Sequence, residues 1–236
     1  MKTEELVNLL ATGVAPVLAC AVGRRFGVAM AWAVLLLVLA LGMRSDLAQA
    51  AGEFMFWMKL AFAASLALAA LIAAQRLAWP GMRLGRAGAA VATPVMALWL
   101  TAAMVLVDAA PAQRADLVLG DTWKSCPFNI ALISLPLLAA TFWAMKGFAP
   151  TRLALAGASA GLLAGALAAP VYALHCPEST APFLAVWYVL GIAIPTLAGA
   201  VIGPRVLRWS ARSKKSTPTR KHLYETLVVI VNFHER

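Results

Sequence analysis

Residues 153–174 read LALAGASAGLLAGALAAPVYAL. This stretch is 22 residues long and carries no charged side chain. An α-helix needs about 20 apolar residues to cross the hydrocarbon core of a bilayer, so the stretch predicts a transmembrane helix. Gly157, Gly161 and Gly165 recur every four residues and share one face, where another helix can approach closely. That face predicts either tight packing inside one bundle or a homodimer seam.

The composition of the whole chain indicates an integral membrane protein. Of its 236 residues 62% are apolar and 13% charged, and the mean hydropathy is +0.82. Soluble domains are about 45–50% apolar and about 25% charged. Backbone groups in hydrocarbon must be paired within the segment, which favours helices. The sequence therefore predicts an all-α bundle of six transmembrane helices, at 26–43, 54–74, 89–107, 128–145, 153–174 and 181–203.

The basic side chains predict the orientation of the bundle. Sixteen Lys and Arg fall on one predicted side of the membrane and three on the other. The positive-inside rule then places both termini in the cytoplasm. It also accounts for the net charge of +10, so nucleic acid is not an expected partner. The predicted units are a cytoplasmic arm (1–23), a six-helix transmembrane domain (24–209) and a basic tail without assigned function (210–236).

The cytoplasmic arm predicts a short amphipathic helix. Leu6, Leu9 and Leu10 share one face at i, i+3, i+4 spacing. Such a leucine face can lie on the membrane surface, dock a soluble partner, or pack on the bundle.

Two cysteines fall on the predicted extracytoplasmic side, just outside the fourth and sixth spans. Cys126 and Cys176 are each followed by proline and are each expected at the foot of a new helix, where the helix dipole favours thiolate. The two cysteines lie in loops that join different pairs of helices, so a covalent link between them would tie one half of the bundle to the other. The pair is either a structural disulfide or a functional pair that reacts with oxidants or binds a soft metal. Cys20, in the cytoplasmic arm, is expected to stay reduced.

A metal site at these cysteines would draw on nearby polar residues. His175 and Glu178 lie within one turn of Cys176, and two thiolates with an imidazole suit zinc, cadmium or copper(I). Taken alone, His175 is more often an ordinary loop residue than a ligand. Lys59 is the only charged residue inside a predicted span; it lies near the outer end and is expected to snorkel to the headgroups.

Several motifs give the chain a family resemblance. They are Ser125-Cys126-Pro127, Ser134-Leu135-Pro136, Ala149-Pro150-Thr151-Arg152, Tyr172, His175-Cys176-Pro177-Glu178, Pro182-Phe183, Trp187-Tyr188 and Leu190-Gly191. With these motifs, the opening Met1-Lys2-Thr3 and the six spans, the chain resembles the NrsF family of bacterial inner-membrane anti-sigma factors over about residues 1–209.

The resemblance implies regulation at the inner membrane rather than enzymatic activity. Members hold an extracytoplasmic-function sigma factor and release it under heavy-metal or oxidative stress, with two periplasmic cysteines as the sensing element. Carried over by motif, Cys126 and Cys176 would sense. No cofactor is obligatory, although zinc, cadmium or copper could bind there. Leu6, Leu9 and Leu10 are our own candidate for part of the sigma-binding surface.

Two other classes of function remain open from the sequence. A membrane thiol oxidoreductase would use the outer thiols, but such enzymes generally carry a Cys-x-x-Cys pair, which this chain lacks. A small transporter would usually place ionisable groups near the bilayer midplane, whereas the spans contain only Lys59.

Overall fold

The computed structural model describes residues 28, 30–36, 38–39, 42, 46–79, 81–146, 148 and 150–208. Within these ranges the regular structure is entirely helical. Five helices are long and apolar enough to cross a membrane: α1 (Phe54–Ala78), α2 (Arg86–Asp108), α3 (Cys126–Met145), α4 (Leu153–Ala173) and α5 (Ala181–Val206). The prediction of an all-helical fold is thereby confirmed for the described residues, and five of the predicted spans coincide with helices able to cross a membrane.

The first predicted span, 26–43, is described only in part. Residues 28, 30–36 and 38–39 are helical, whereas Gly42, which is also described, is not. Six spans and cytoplasmic termini therefore stay predictions. The cytoplasmic arm with Leu6, Leu9 and Leu10 and the basic tail from residue 210 also lie outside the described residues.

Helix α4 is the centre of the bundle. It packs against α1, α3 and α5. In the most apolar 18-residue stretch of α4, 67% of the residues are buried, whereas only 6% are buried in the corresponding stretch of α2. Helix α2 packs mainly on α1 and on the start of α5. The reason is the composition of α4, since alanine and glycine let three neighbouring helices approach its backbone at once.

The glycine face of α4 is filled by α5. A Cβ at Gly161 would overlap the backbone of Pro195, and a Cβ at Gly157 would overlap the carbonyl oxygen of Gly199. The two helices therefore touch backbone to backbone along this seam. Of the two packing alternatives, contact inside one bundle is confirmed, and a homodimer seam at these glycines is wrong because α5 already occupies the face.

The segments predicted to lie outside the membrane meet at one end of the bundle. A short helix that the sequence did not predict, Arg114–Leu119, packs there against the start of α5. Trp187 Nε1 donates to the Val118 carbonyl at 2.8 Å, and Thr180 Oγ1 donates to the Leu117 carbonyl at 3.0 Å. We call this end, which also contains Cys126 and Cys176, the thiol end.

The start of α5 contains a π-helical turn, Leu184–Tyr188. Such turns widen a helix by one residue and occur frequently at functional sites. Here the turn ends on Tyr188, whose ring lies 5.9 Å from the ring of Tyr172 on α4. The widened turn thus belongs to the wall of the thiol end.

Candidate functional site

Cys126 and Cys176 come together at the thiol end. Cys126 is the first residue of α3, and Cys176 lies in the segment that joins α4 to α5. Both are free thiols with 0% exposure, and they lie close enough to act on each other electrostatically. We call the two residues the thiol pair. The thiol pair thus places the start of α3 beside the segment between α4 and α5.

The two cysteines differ in their relation to the helices. Cys126 begins α3, as expected, but Cys176 follows the C-terminal end of α4. The backbone N–H groups of His175 and Cys176 both donate to the Tyr172 carbonyl, at 2.9 and 3.0 Å. The expectation that both lie at the foot of a new helix is wrong for Cys176, because Pro177 keeps the residue before it out of the helical conformation and α5 begins only at Ala181.

Lys59 of α1 is turned into the protein. It is 1% exposed, and its Nζ donates to the carbonyl oxygens of Cys176 at 3.1 Å and Glu178 at 2.7 Å. The same ammonium lies 4.8 Å from the centre of the Tyr188 ring, a distance at which a cation is attracted to the ring. The snorkelling expectation is wrong because the irregular 176–178 backbone offers carbonyl acceptors that no helix satisfies.

Several donors converge on the sulfur of Cys176. The neighbouring Cys126 thiol lowers the pKa of Cys176 below its usual value against the opposing effect of burial, and the charge of Lys59, the Glu178 N–H and the Thr122 hydroxyl act in the same direction. Thr122 Oγ1 lies 3.8 Å from Cys176 Sγ.

Two tyrosine hydroxyls complete the lining of the site. Tyr172 and Tyr188 are both 0% exposed, and neither hydroxyl makes a hydrogen bond to any residue in the described ranges. Both nevertheless lie within electrostatic reach of the two thiols. Buried polar groups without a partner are rare in native structures. The two hydroxyls and the two thiols together give the thiol end a buried polar lining.

The other polar residues around the thiol pair hold the connecting segments. His175 Nδ1 lies 3.0 Å from the carbonyl oxygen of Gly42, and the imidazole packs 5.8 Å from the Tyr172 ring. Glu178 Oε1 accepts the N–H of Asp121 at 3.0 Å. Across the described ranges no group of three His, Cys, Asp or Glu side chains is placed to hold a metal ion. The set Cys126, Cys176 and His175 is therefore not gathered as three ligands there, and metal binding stays a prediction.

The contact between Glu178 and Asp121 gives a testable local effect. Glu178→Ala removes the acceptor, and we expect it to destabilise the 120–122 segment by about 1 kcal/mol, the usual value of one hydrogen bond. Hydrogen–deuterium exchange at the Asp121 amide should rise, as read by mass spectrometry. Glu178→Gln, which keeps the side-chain oxygen, is the control and should exchange like the wild type. Equal exchange in the alanine variant and the wild type would show that the contact contributes nothing.

Comparison with known proteins identifies a family and two relatives that this chain resembles. The NrsF family model, described as "Negative regulator of sigma F", matches residues 10–209. The "Probable anti-sigma-F factor NrsF" of Azospira oryzae is 46% identical over 213 residues, covering 89% of this chain and 100% of the relative. The "Anti-sigma-F factor NrsF" of Caulobacter vibrioides is 39% identical over 215 residues, with the same two coverages. No solved structure matches the chain.

Proposed function

The chain belongs to the NrsF family, and we propose that it is an inner-membrane anti-sigma factor that binds an extracytoplasmic-function sigma factor. In this proposal the sigma factor is released when heavy metal or oxidative stress reaches the thiol pair. The names of both curated relatives support anti-sigma activity, and five apolar spans support residence in a membrane. Family membership favours a regulator over a thiol oxidoreductase or a small transporter.

The sensing role is supported by the proximity of Cys126 and Cys176, which are both buried free thiols. A bond between the sulfurs, or a soft metal ion held by both, changes the contact between the start of α3 and the α4–α5 junction. Both junctions are anchored to helices that run the whole length of the bundle. A chemical change at the thiol end can therefore bias the bundle between two packings.

The opposite end of the bundle is the proposed sigma-binding face. It is built from the ends of helices whose flanking residues are basic and which the positive-inside rule assigns to the cytoplasm. Trp79 and Phe148, from two different connections, pack at this end with ring centroids 6.2 Å apart. We add the leucine face Leu6, Leu9 and Leu10 as the helix that docks into a groove of the sigma factor.

Release then has a simple energetic requirement. The two packings must differ in their affinity for the sigma factor, and each tenfold difference corresponds to about 1.4 kcal/mol. A shift of this size is comparable to the gain or loss of one or two hydrogen bonds. The thiol pair is thus able to supply it.

Co-purification tests the binding half of the proposal. A tagged form of this protein, expressed with extracytoplasmic-function sigma factors and solubilised in mild detergent, should retain one of them. Leu6→Asp should lower that retention about tenfold or more, because a carboxylate in an apolar groove is left unpaired. Asn8→Asp adds the same charge on the opposite face of the predicted helix and should retain the sigma factor. Failure of the unaltered protein to retain any such sigma factor would end the proposal.

A further inference from the structure

We propose that residues 111–125, which connect α2 to α3, form a strap over the thiol pair, and that this strap must separate from the start of α5 before a reagent can reach the two sulfurs. We call residues 111–125 the strap. The inference rests on the proposed sensing role of the thiol pair and deepens it, because it names the step that controls access to the sensor.

The first argument is the contrast in burial between the strap and the residues beneath it. No residue from 111 to 125 is buried, whereas Cys126, the next residue along the chain, is 0% exposed. Cys176, which the strap contacts, is also 0% exposed. A reagent dissolved outside the protein therefore cannot touch either sulfur while the bundle keeps this arrangement, and some part of the structure has to move.

The second argument is the position of the strap on the segment that carries Cys176. Thr122 Oγ1 lies 3.8 Å from Cys176 Sγ. A Cβ at Gly120 would lie 2.8 Å from Glu178 Cδ and 2.9 Å from Phe183 Cδ2, so the strap backbone is in close contact with both side chains. The strap thus forms an outer layer over the segment that carries Cys176.

The third argument is the kind of contact that holds the strap in place. Three side chains at the start of α5 and just before it hold the strap by hydrogen bonds: Glu178, Thr180 and Trp187. The Trp187 ring also packs 5.3 Å from the ring of Trp123. In the described ranges the backbone–backbone hydrogen bonds of the strap join near neighbours in sequence. Segments with few buried contacts open at a low free energy while the rest of the fold stays intact. The strap is therefore expected to open without loss of the apolar packing among α3, α4 and α5.

The rate of thiol alkylation in intact membranes measures how often the strap is open. Full-length protein carrying Cys20→Ser is treated with N-ethylmaleimide, quenched with excess free thiol, denatured, and mapped by mass spectrometry at Cys126 and Cys176. We expect slow alkylation in folded protein and rapid, complete alkylation after denaturation. Equal rates in folded and denatured protein would overturn the proposal, because the strap would then restrict nothing.

The hydrogen bond from Trp187 to the strap gives the first variant. Trp187→Phe removes the indole N–H that binds the Val118 carbonyl and keeps an aromatic ring. We expect alkylation of both thiols to become about fivefold faster, the factor that corresponds to one hydrogen bond. Trp99→Phe is the matched control, because the Trp99 indole also donates to α5, at the Ala185 carbonyl (3.0 Å), but comes from α2. Its rate should equal that of the unaltered protein. Equal acceleration in both variants would show a general loosening of α5 and contradict the proposal.

The close contact at Gly120 gives the second variant. Gly120→Ala should lift the strap, because the added Cβ overlaps the Glu178 and Phe183 side chains and a φ of 54° is itself unfavourable for alanine. We expect alkylation to become about tenfold faster or more. Gly81→Ala is the control: its φ is 78°, and no atom of the described residues lies within 4 Å of the added Cβ. It imposes the same kind of backbone cost away from the strap and should leave the rate unchanged.

Unchanged alkylation in both Trp187→Phe and Gly120→Ala would overturn the proposal, since reagents would then reach the thiols by a route that does not involve the strap. Far-UV circular dichroism checks that each variant keeps its helices.

Retention of the sigma factor, measured in the same membranes, separates this inference from the proposed function. If the strap variants accelerate alkylation but peroxide-treated wild-type membranes keep their sigma factor, the inference stands and the sensing function fails. If the wild type releases its sigma factor under peroxide while the strap variants are alkylated at the wild-type rate, the sensing function stands and the inference fails.

Discussion

Replacing Cys126 and Cys176 together by alanine is expected to abolish the stress-induced release of the sigma factor. An oxidant or a soft metal acts through these two sulfurs in the proposed function, so no response should remain. Binding in unstressed membranes should persist, because the variant leaves the opposite end of the bundle unaltered. The measurement is the membrane-bound fraction of the sigma factor before and after hydrogen peroxide or cadmium.

The matched control for this experiment is Cys20→Ser, which removes the third cysteine and should respond like the wild type. A double alanine variant that still releases the sigma factor under stress would show that another part of the chain senses. A variant that fails to bind the sigma factor without stress would show that the thiol pair is structural.

Replacing Gly161 by alanine is expected to break the seam between α4 and α5. The added Cβ would overlap the Pro195 backbone and lie 2.7 Å from the Thr196 Cα, so backbone rather than a flexible side chain must move. Overpacking of this kind costs about 1–3 kcal/mol, and more where backbone cannot shift. The folded fraction during titration with denaturing detergent, followed by far-UV circular dichroism, measures the loss.

Gly88→Ala provides the comparison for the seam. Its added Cβ would meet only the flexible end of the Leu84 side chain, at 3.3 Å, so the bundle should tolerate it with little loss. Equal stability of the Gly161 and Gly88 variants would contradict the close α4–α5 contact described here.

The helices were the part of the fold most accessible from the sequence. Long uncharged runs such as 153–174 mark spans because hydrocarbon penalises every unpaired polar group, and five of the predicted spans match observed helices to within four residues. The four-residue glycine spacing on α4 correctly indicated a close contact. The spacing did not identify the partner helix, because any helix with a face of small residues could pack there.

The site was less accessible because it depends on contacts between distant segments. Lys59 and the Cys176 carbonyl are 117 residues apart, and no local pattern indicates that an intramembrane lysine turns toward a loop. A charged residue inside a span often has a function, so the position of Lys59 was the one indication in the sequence that it belongs to the site. Tyr172 and Tyr188 look like interfacial aromatics in the sequence; only the packing of α4 on the π-helical turn brings their hydroxyls beside the thiols.

Non-reducing mass mapping of Cys126 and Cys176 tests the central claim most directly, when the same membranes are also assayed for bound sigma factor. The account predicts that peroxide joins the two cysteine-containing peptides by a disulfide in parallel with loss of the sigma factor. It also predicts that cadmium protects both thiols from alkylation in the same proportion. Release of the sigma factor while both cysteines stay free and fully alkylatable would contradict it.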